Sequence, residues 1–403
     1  MASVLTSFLG RAPREEGRYR TTRYDFGDGS PVREYAFFGW ALQERIQPQR
    51  LIILGTAGSM WDHLFEGDID LGAQEEEKRL ALVEAVEQSC VQQSQLDQLA
   101  PLLAERLGCE VRLQLIPFCR EESEQPRLLE TLAERVNPGD ELHLDVTHAF
   151  RHLPMIGLMG ALYLRLLRKI SIRRVWYGAY DPDSGKGSVH DLAGLLRIAD
   201  WLQALSIYDQ EGDYGALADL LEGELAENLR DAAFLEQVNR IGPARGKARK
   251  ALTQLRAQPF ADPTAELFRP ALIARLEWAE QGNFYQRQRA LALRHLAQGN
   301  LLEAVLGGYE AFITRQTVQQ GLNPDTSDER ETARERFDQA QREITPRTDL
   351  YKDWDALRRL RNAITHGGQP KGDEVQRALS SRAEMAQLVS RLFDRLLPET
   401  LEP

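Results

Sequence analysis

Along the first half of the chain, short apolar runs alternate with longer segments of helical period. SVLTSFLG and RLIILGT are compact runs with β-branched residues, each closing at or beside a glycine, as buried strands do. CEVRLQLIPF alternates Val111, Leu113 and Leu115 with polar neighbours, ELHLDVT does so with Leu142, Leu144 and Val146, and SIRRVWYGAYD is a further strand. Between them, residues 74 to 107, PRLLETLAERV and RHLPMIGLMGALYLRLLRK read as helices, and Pro154 suits a helix start. This strand–helix alternation predicts an α/β domain with a Rossmann-like, mostly parallel sheet covered on both faces.

After about residue 190 the β-signals fade. DLAGLLRIADWLQALSIYDQ, YGALADLLEGELAENLRDAAFLEQV and most of residues 265 to 320 read as amphipathic helices. GLNPDTSDERETARERFD is read as a polar interruption before the last helices. The predicted division is an α/β domain over 1–195, a helical connector over 196–265 and an all-α domain over 266–403. Near the end, Trp354, Leu357, Leu360 and Ile364 recur at helical spacing, and Gly367 and Gly368 mark the stop.

With 403 residues the chain is too long for one ordinary core, which agrees with this division. No apolar run approaches the ~20 residues of a membrane span, so no membrane partner is expected. The beginning, MASVLTSFLGRAPREEG, turns polar too soon for a secretory signal. Cys90, Cys109 and Cys119 form neither a disulfide framework nor a CxxC pair, so a cytoplasmic location is expected. A formal charge of -11 disfavours sequence-independent binding of long duplex nucleic acid, although Arg240 to Arg256 contains no acidic residue.

Candidate chemistry sits first at two predicted strand ends, where open α/β sheets bind ligands. In LGTAGSMWD, Gly55, Thr56, Ala57, Gly58 and Ser59 combine accessible backbone N–H groups with two hydroxyls, which suits an anion. In DVTHAFRHLP, Thr147, His148 and Arg151 add donors. Neither GxGxxG nor GxxxxGK[ST] occurs. His148 and His152 have the spacing of two zinc ligands on one helix face, but the HExxH glutamate is missing, so no metal site and no cofactor are expected.

The second place is the stretch RLRNAITHGG, Arg359 to Gly368. A histidine at a helix end interacts favourably with the helix dipole, and an arginine there is ordinary surface. The alternative is metal-independent RNA cleavage, with His366 taking a proton from a ribose 2′-OH and Arg361 stabilising charge on the phosphate. Positions five apart lie about 140° apart around a helix, so one helix cannot easily aim both side chains at one phosphate. Two copies meeting across a two-fold axis could, which makes a homodimer, or a higher even-numbered oligomer, a condition of that reading.

Taken in order, these segments resemble the CRISPR-associated CARF–HEPN ribonucleases, ancillary effectors of type III systems. SFLG, LGTAGSMWD, LDVTHAFRHLP and VWYGAYD look like segments of the CARF sensor domain. FYQRQRALALRHLAQGNLLEAVLGGYEAFI followed by RLRNAITHG looks like the paired helices of a HEPN domain. The resemblance implies a sensor at 1–195 that dimerises and binds cyclic oligoadenylate, with cyclic tetra-adenylate favoured by family prevalence. Thr56 to Met60, with Thr147, His148 and Arg151, would line its pocket. It also implies that Arg361, Asn362 and His366 cleave single-stranded RNA, leaving 2′,3′-cyclic phosphate or 3′-phosphate and 5′-hydroxyl ends. The residues 240 to 256, with Arg358 and Arg359, are candidates for the RNA path. Two other activities fit the same motifs: a cyclic-nucleotide-binding regulator without nuclease activity, and a ring nuclease that degrades the cyclic oligoadenylate through Thr147, His148 or Arg151.

Overall fold

The computed structural model describes residues 2–66, 73–368 and 372–401. The chain forms two compact units, residues 1–196 and 197–403. The strands of the first are β1 (Ser3–Leu9), β2 (Arg14–Glu15), β3 (Arg18–Tyr19), β4 (Thr22–Asp25) and β5 (Arg33–Tyr35). They continue with β6 (Arg50–Gly55), β7 (Glu110–Leu115), β8 (Glu141–Asp145), β9 (Ser171–Asp181) and β10 (Lys186–Asp191). Its helices are α1 (Phe38–Ile46), α2 (Ala73–Glu87), α3 (Gln93–Leu107), α4 (Gln125–Arg135) and α5 (His152–Arg168).

Eight strands make one sheet in the order β5-β4-β10-β9-β8-β1-β6-β7, while β2 and β3 pair separately as a small hairpin. From β7 to β9 all neighbours are parallel; β9–β10 and β4–β5 are antiparallel. Burial follows position in the sheet. β1, at the centre, is buried on both faces from Val4 to Leu9, whereas β7, at the edge, exposes Glu110 and Arg112 and buries Val111 and Leu113. The core lies on both sides, one half around Phe37, Phe38, Trp61 and Leu96 and the other around Phe8, Leu128, Leu144 and Leu164. At Gly157 of α5 an added Cβ would stand 2.6 Å from the Phe8 ring, so the absent side chain sets how closely this helix covers β1.

The second unit is helical. It contains α6 (Gly194–Glu211, beginning just before the division), α7 (Gly215–Ala218), α8 (Gly223–Gln237), α9 (Ile241–Ala257) and α10 (Pro263–Leu276). Then come α11 (Phe284–Gln298), α12 (Leu301–Gln319), α13 (Ser327–Arg342), α14 (Asp349–His366), α15 (Asp373–Ala378) and α16 (Arg382–Leu396). Two apolar cores fill it, one built from residues between Trp201 and Leu291 and the other from residues between Tyr285 and Leu397. The stretch expected as a connector therefore has a core of its own inside this unit.

Two expectations differ from the structure. Polar GLNPDTSDERETARERFD is largely helix α13, which buries only Ala333 and Phe337 and is tied down by Arg330 to Glu310 at 2.5 Å. Two anchors and an ion pair hold a helix that has almost no apolar face to announce it. Strands β2 to β5 and β10 were not foreseen, being short and largely exposed.

Candidate functional site

Counted by order along the chain, the five parallel strands from β7 to β9 run 3-2-1-4-5, so the winding direction reverses between β1 and β8. At such a point the loops beyond the carboxyl ends diverge and leave a crevice. A cleft of about 430 Å³ occupies it, within the range of small-molecule sites. Its walls are Gly10 and Arg11 after β1, Thr56, Gly58 and Ser59 after β6, Ser89 after α2, Phe118 and Arg120 after β7, and Ala149 and Phe150 after β8.

The β6 loop is held by its own hydrogen bonds. Ser59 Oγ donates to Leu9 O at 2.7 Å and accepts from Thr56 N–H at 3.0 Å, and Met60 N–H donates to Gly10 O at 2.9 Å. Trp61 Nε1–H closes the loop on Thr56 O at 2.8 Å. Thr56, Ser59 and Met60 are buried, so the loop presents chiefly Gly58 and edges of Thr56 and Ser59 to the cleft, with Gly55 and Ala57 behind them.

The β8 loop is similarly engaged. Asp145 is fully buried, accepts from Ser7 Oγ–H and, at 2.9 Å, from Thr147 N–H, and burial pushes its carboxyl up to about 6. Thr147 Oγ1 accepts from Gly178 N–H at 2.8 Å, fastening the loop to β9. His148 Nε2 accepts from Phe38 N–H at 3.0 Å, so this imidazole satisfies the amino end of α1 and carries its proton on Nδ1. Burial, helped by nearby His63, brings its pKa down to about 4. Arg151 is exposed at the start of α5 and is not among the cleft's walls. His152 Nε2 bonds Phe118 O at 2.7 Å, and the described residues contain no group of three potential metal ligands.

The sequence reading did not nominate Arg11, Phe118, Arg120 or Phe150. The Phe118 and Phe150 rings lie 5.9 Å apart, the Arg120 guanidinium sits 4.9 Å over Phe118, and Phe150 is 52% exposed. Two arginines and two aromatic faces beside backbone amides suit a ligand with both phosphates and bases. Phe150 lies inside the quoted motif and was open to notice; Arg11, Phe118 and Arg120 are named only by the strand order. Ala149, a wall of the cleft, and Cys119, between the walls Phe118 and Arg120, hold left-handed backbone at φ +82° and +52°, strained values for side-chain-bearing residues.

In the second unit, α14 runs from Asp349 to His366 and stops at Gly367, whose φ of +64° lets its N–H reach Ala363 O. His366 is the last helical residue and is exposed, as is Asn362. Arg361 is half-buried: its Nη1 donates to Asn362 Oδ1 at 3.0 Å, and its guanidinium lies 4.9 Å over the Tyr309 ring. Its neighbours are engaged otherwise. Arg358 pairs with Asp355 at 2.5 Å and Asp338 at 3.3 Å, and Arg359 with Asp355 at 2.6 Å. On α9, Lys247 pairs with Asp231 and Arg256 with Glu280, while Arg249 and Lys250 are exposed.

No family model matches the chain. Among curated proteins it is similar to CRISPR-associated protein MJ1674 of Methanocaldococcus jannaschii, at 25% identity over 269 residues. That match covers 59% of this chain and spans 42% of the relative's length. Among solved structures it is similar to Enterococcus italicus Csm6 bound to cyclic hexa-2'-fluoro-hexa-dAMP, at 13% identity and a TM-score of 0.38, covering 100% of this chain and 96% of that one. With a CRISPR-associated relative beside the motifs quoted above, the chain's resemblance to CRISPR-associated proteins is borne out.

Proposed function

We propose that the chain is a metal-independent endoribonuclease of type III CRISPR defence, activated by cyclic oligoadenylate and cleaving single-stranded RNA. The observation that carries this reading is the end of α14. Arg358 and Arg359 are tied to carboxylates, whereas Arg361, Asn362 and His366 lie in the last turns with no carboxylate partner among the described residues. In the proposed reaction His366 takes the proton of a ribose 2′-OH, which attacks the adjacent phosphorus and expels the 5′-oxygen. Arg361 stabilises the charge developing on the phosphate oxygens. A second copy of the helix end supplies the other half of the acid–base pair, because the two side chains leave one helix in different directions.

The cleft of the first unit is the proposed sensor, with Arg11 and Arg120 for phosphates and Phe118 and Phe150 for adenine faces. Pairing of two copies is supported by α5, which exposes Met155, Met159, Leu166 and Leu167. The test compares RNA cleavage with cyclic tri-, tetra- and hexa-adenylate, in EDTA, for wild type and His366→Ala. Cleavage dependent on one ring size and lost in the variant supports the reading. Undiminished cleavage by His366→Ala sinks it. Tight ligand binding with no cleavage would point to a regulator, and loss of intact ring in both proteins to a ring nuclease.

A further inference from the structure

The side chain of Arg361 is long, and its usefulness to any phosphate depends on what holds it. Its backbone is fixed by α14, but four rotatable bonds separate that backbone from the guanidinium. The structure supplies a seat. Tyr309 of α12 is only 5% exposed, and Arg361 covers its face at 4.9 Å. Behind Tyr309, the Trp354 ring lies 5.0 Å away at 21°, and Phe312 lies 4.6 Å beyond it at 24°. Trp354 is fully buried and donates from Nε1 to Asp338 Oδ1 at 2.9 Å. The phenol of Tyr309 lies in the electrostatic neighbourhood of the Arg334 guanidinium. A column of three rings from two helices, pinned at its middle ring, therefore terminates in a guanidinium.

The contacts around that guanidinium give it a direction. Nη1 is bonded to Asn362 Oδ1, Nε is buried without an acceptor among the described residues, and nothing there accepts from Nη2. The ring attracts the cation without taking any of its N–H groups, because its negative face offers no lone pair. A carboxylate in the same place would hold the side chain too, but would neutralise it and occupy the fork that a phosphate requires.

We propose that Tyr309 is a positioning residue for Arg361: its ring fixes the guanidinium while leaving the outer N–H fork for an anionic phosphate oxygen of the RNA. The inference rests on the nuclease reading above. Its mark is an effect on turnover rather than on substrate affinity, since a misplaced arginine loses the charge that develops in the transition state.

The test places a graded series at position 309: Tyr309→Phe, then the same phenylalanine carrying one and three ring fluorines, and finally Tyr309→Leu. Fluorination drains the ring face with little change of shape, so thermal unfolding and activator binding should stay constant across the aromatic members. We expect kcat to fall stepwise with fluorination, and Tyr309→Leu to lose about tenfold or more, with KM changing less. Tyr309→Phe should recover most of what leucine loses. A flat kcat through the fluorinated series overturns the proposal, even if leucine fails to fold. So does a Tyr309→Phe rate as low as that of leucine, which would assign the role to the hydroxyl. His366→Ala runs beside the series: if it cleaves normally the nuclease reading has failed, whereas a flat series beside an inactive His366→Ala defeats only the role of Tyr309.

Discussion

The cleft of the first unit and the end of α14 make opposite use of the residues that drew attention to them. Around the cleft, Thr147, His148 and Ser59 are occupied with Gly178, Phe38 and Leu9, and they hold the loops in place. The open cleft-lining groups are Arg11 and Arg120 from other loops and Phe150 from the same loop as Thr147 and His148. At the helix end the conspicuous residues are themselves the open ones, and the support, Tyr309, is inconspicuous. Polar residues at strand ends must first satisfy the backbone that turns there, whereas a helix closed by Gly367 leaves His366 with no such duty.

Substitutions can break this comparison. Largest is the helix end, where His366→Ala should lower RNA cleavage by about 10²- to 10⁴-fold while activator binding, read by calorimetry, stays unchanged. Next comes the cleft: Arg11→Ala with Arg120→Ala should weaken cyclic oligoadenylate by about 100-fold, because two charge-assisted contacts are lost. Equal binding by that double variant would return the ligand to Thr147 and His148.

Smaller is Gly10→Ala. Its Cβ would stand 2.6 Å from Ala149 N and 3.2 Å from its Cα, so β1 and the β8 loop must separate. We expect about 1–3 kcal/mol of destabilisation by chemical denaturation, with weaker activator binding. Smallest is a pH effect. Because the folded pKa of His148 is depressed to about 4, its contribution is whole above the unfolded value of 6.5 and is lost as pH falls from there toward 4. Asp145, raised to about 6, acts oppositely: its contribution is present below 3.8 and lost as pH rises through 6. His148→Gln removes the first effect and keeps an acceptor for Phe38 N–H. Its Tm minus that of wild type should therefore climb on acidification from pH 6.5; a constant difference would contradict the buried neutral imidazole.

How much was legible in the sequence follows the same division. β1, β6 and β8 are apolar runs because both faces of the sheet are covered, so they declare themselves. β4 and β10 are exposed on alternate or most positions and contain residues such as Asp25 and Lys186 that carry no apolar pattern. Helix α13 is hidden for the same reason. At the site, motif residues 55–60 and 147–151 fall on loops that border the cleft, because a strand end is readable locally, although Thr147, His148 and Arg151 are not among its walls. Arg11, Phe118 and Arg120 were not readable, since only the pairing of β1 with both β6 and β8 brings their loops together. Tyr309 lay within a quoted helix, but nothing in its spacing connects it to Arg361, 52 positions later.

The reversal of winding between β1 and β8 has a kinetic and thermodynamic corollary. The walls at residues 10, 58, 120 and 150 come from four loops scattered over 140 residues, so no short segment of the chain contains the complete cleft. The contacts that create it are of high sequence separation and are expected to form late in folding. A ligand seated there binds only the finished unit and stabilises it by mass action, in proportion to RT ln(1 + [L]/Kd). Occupancy of the cleft would thus double as a proofreading of the fold: a misassembled copy offers no cleft to fill.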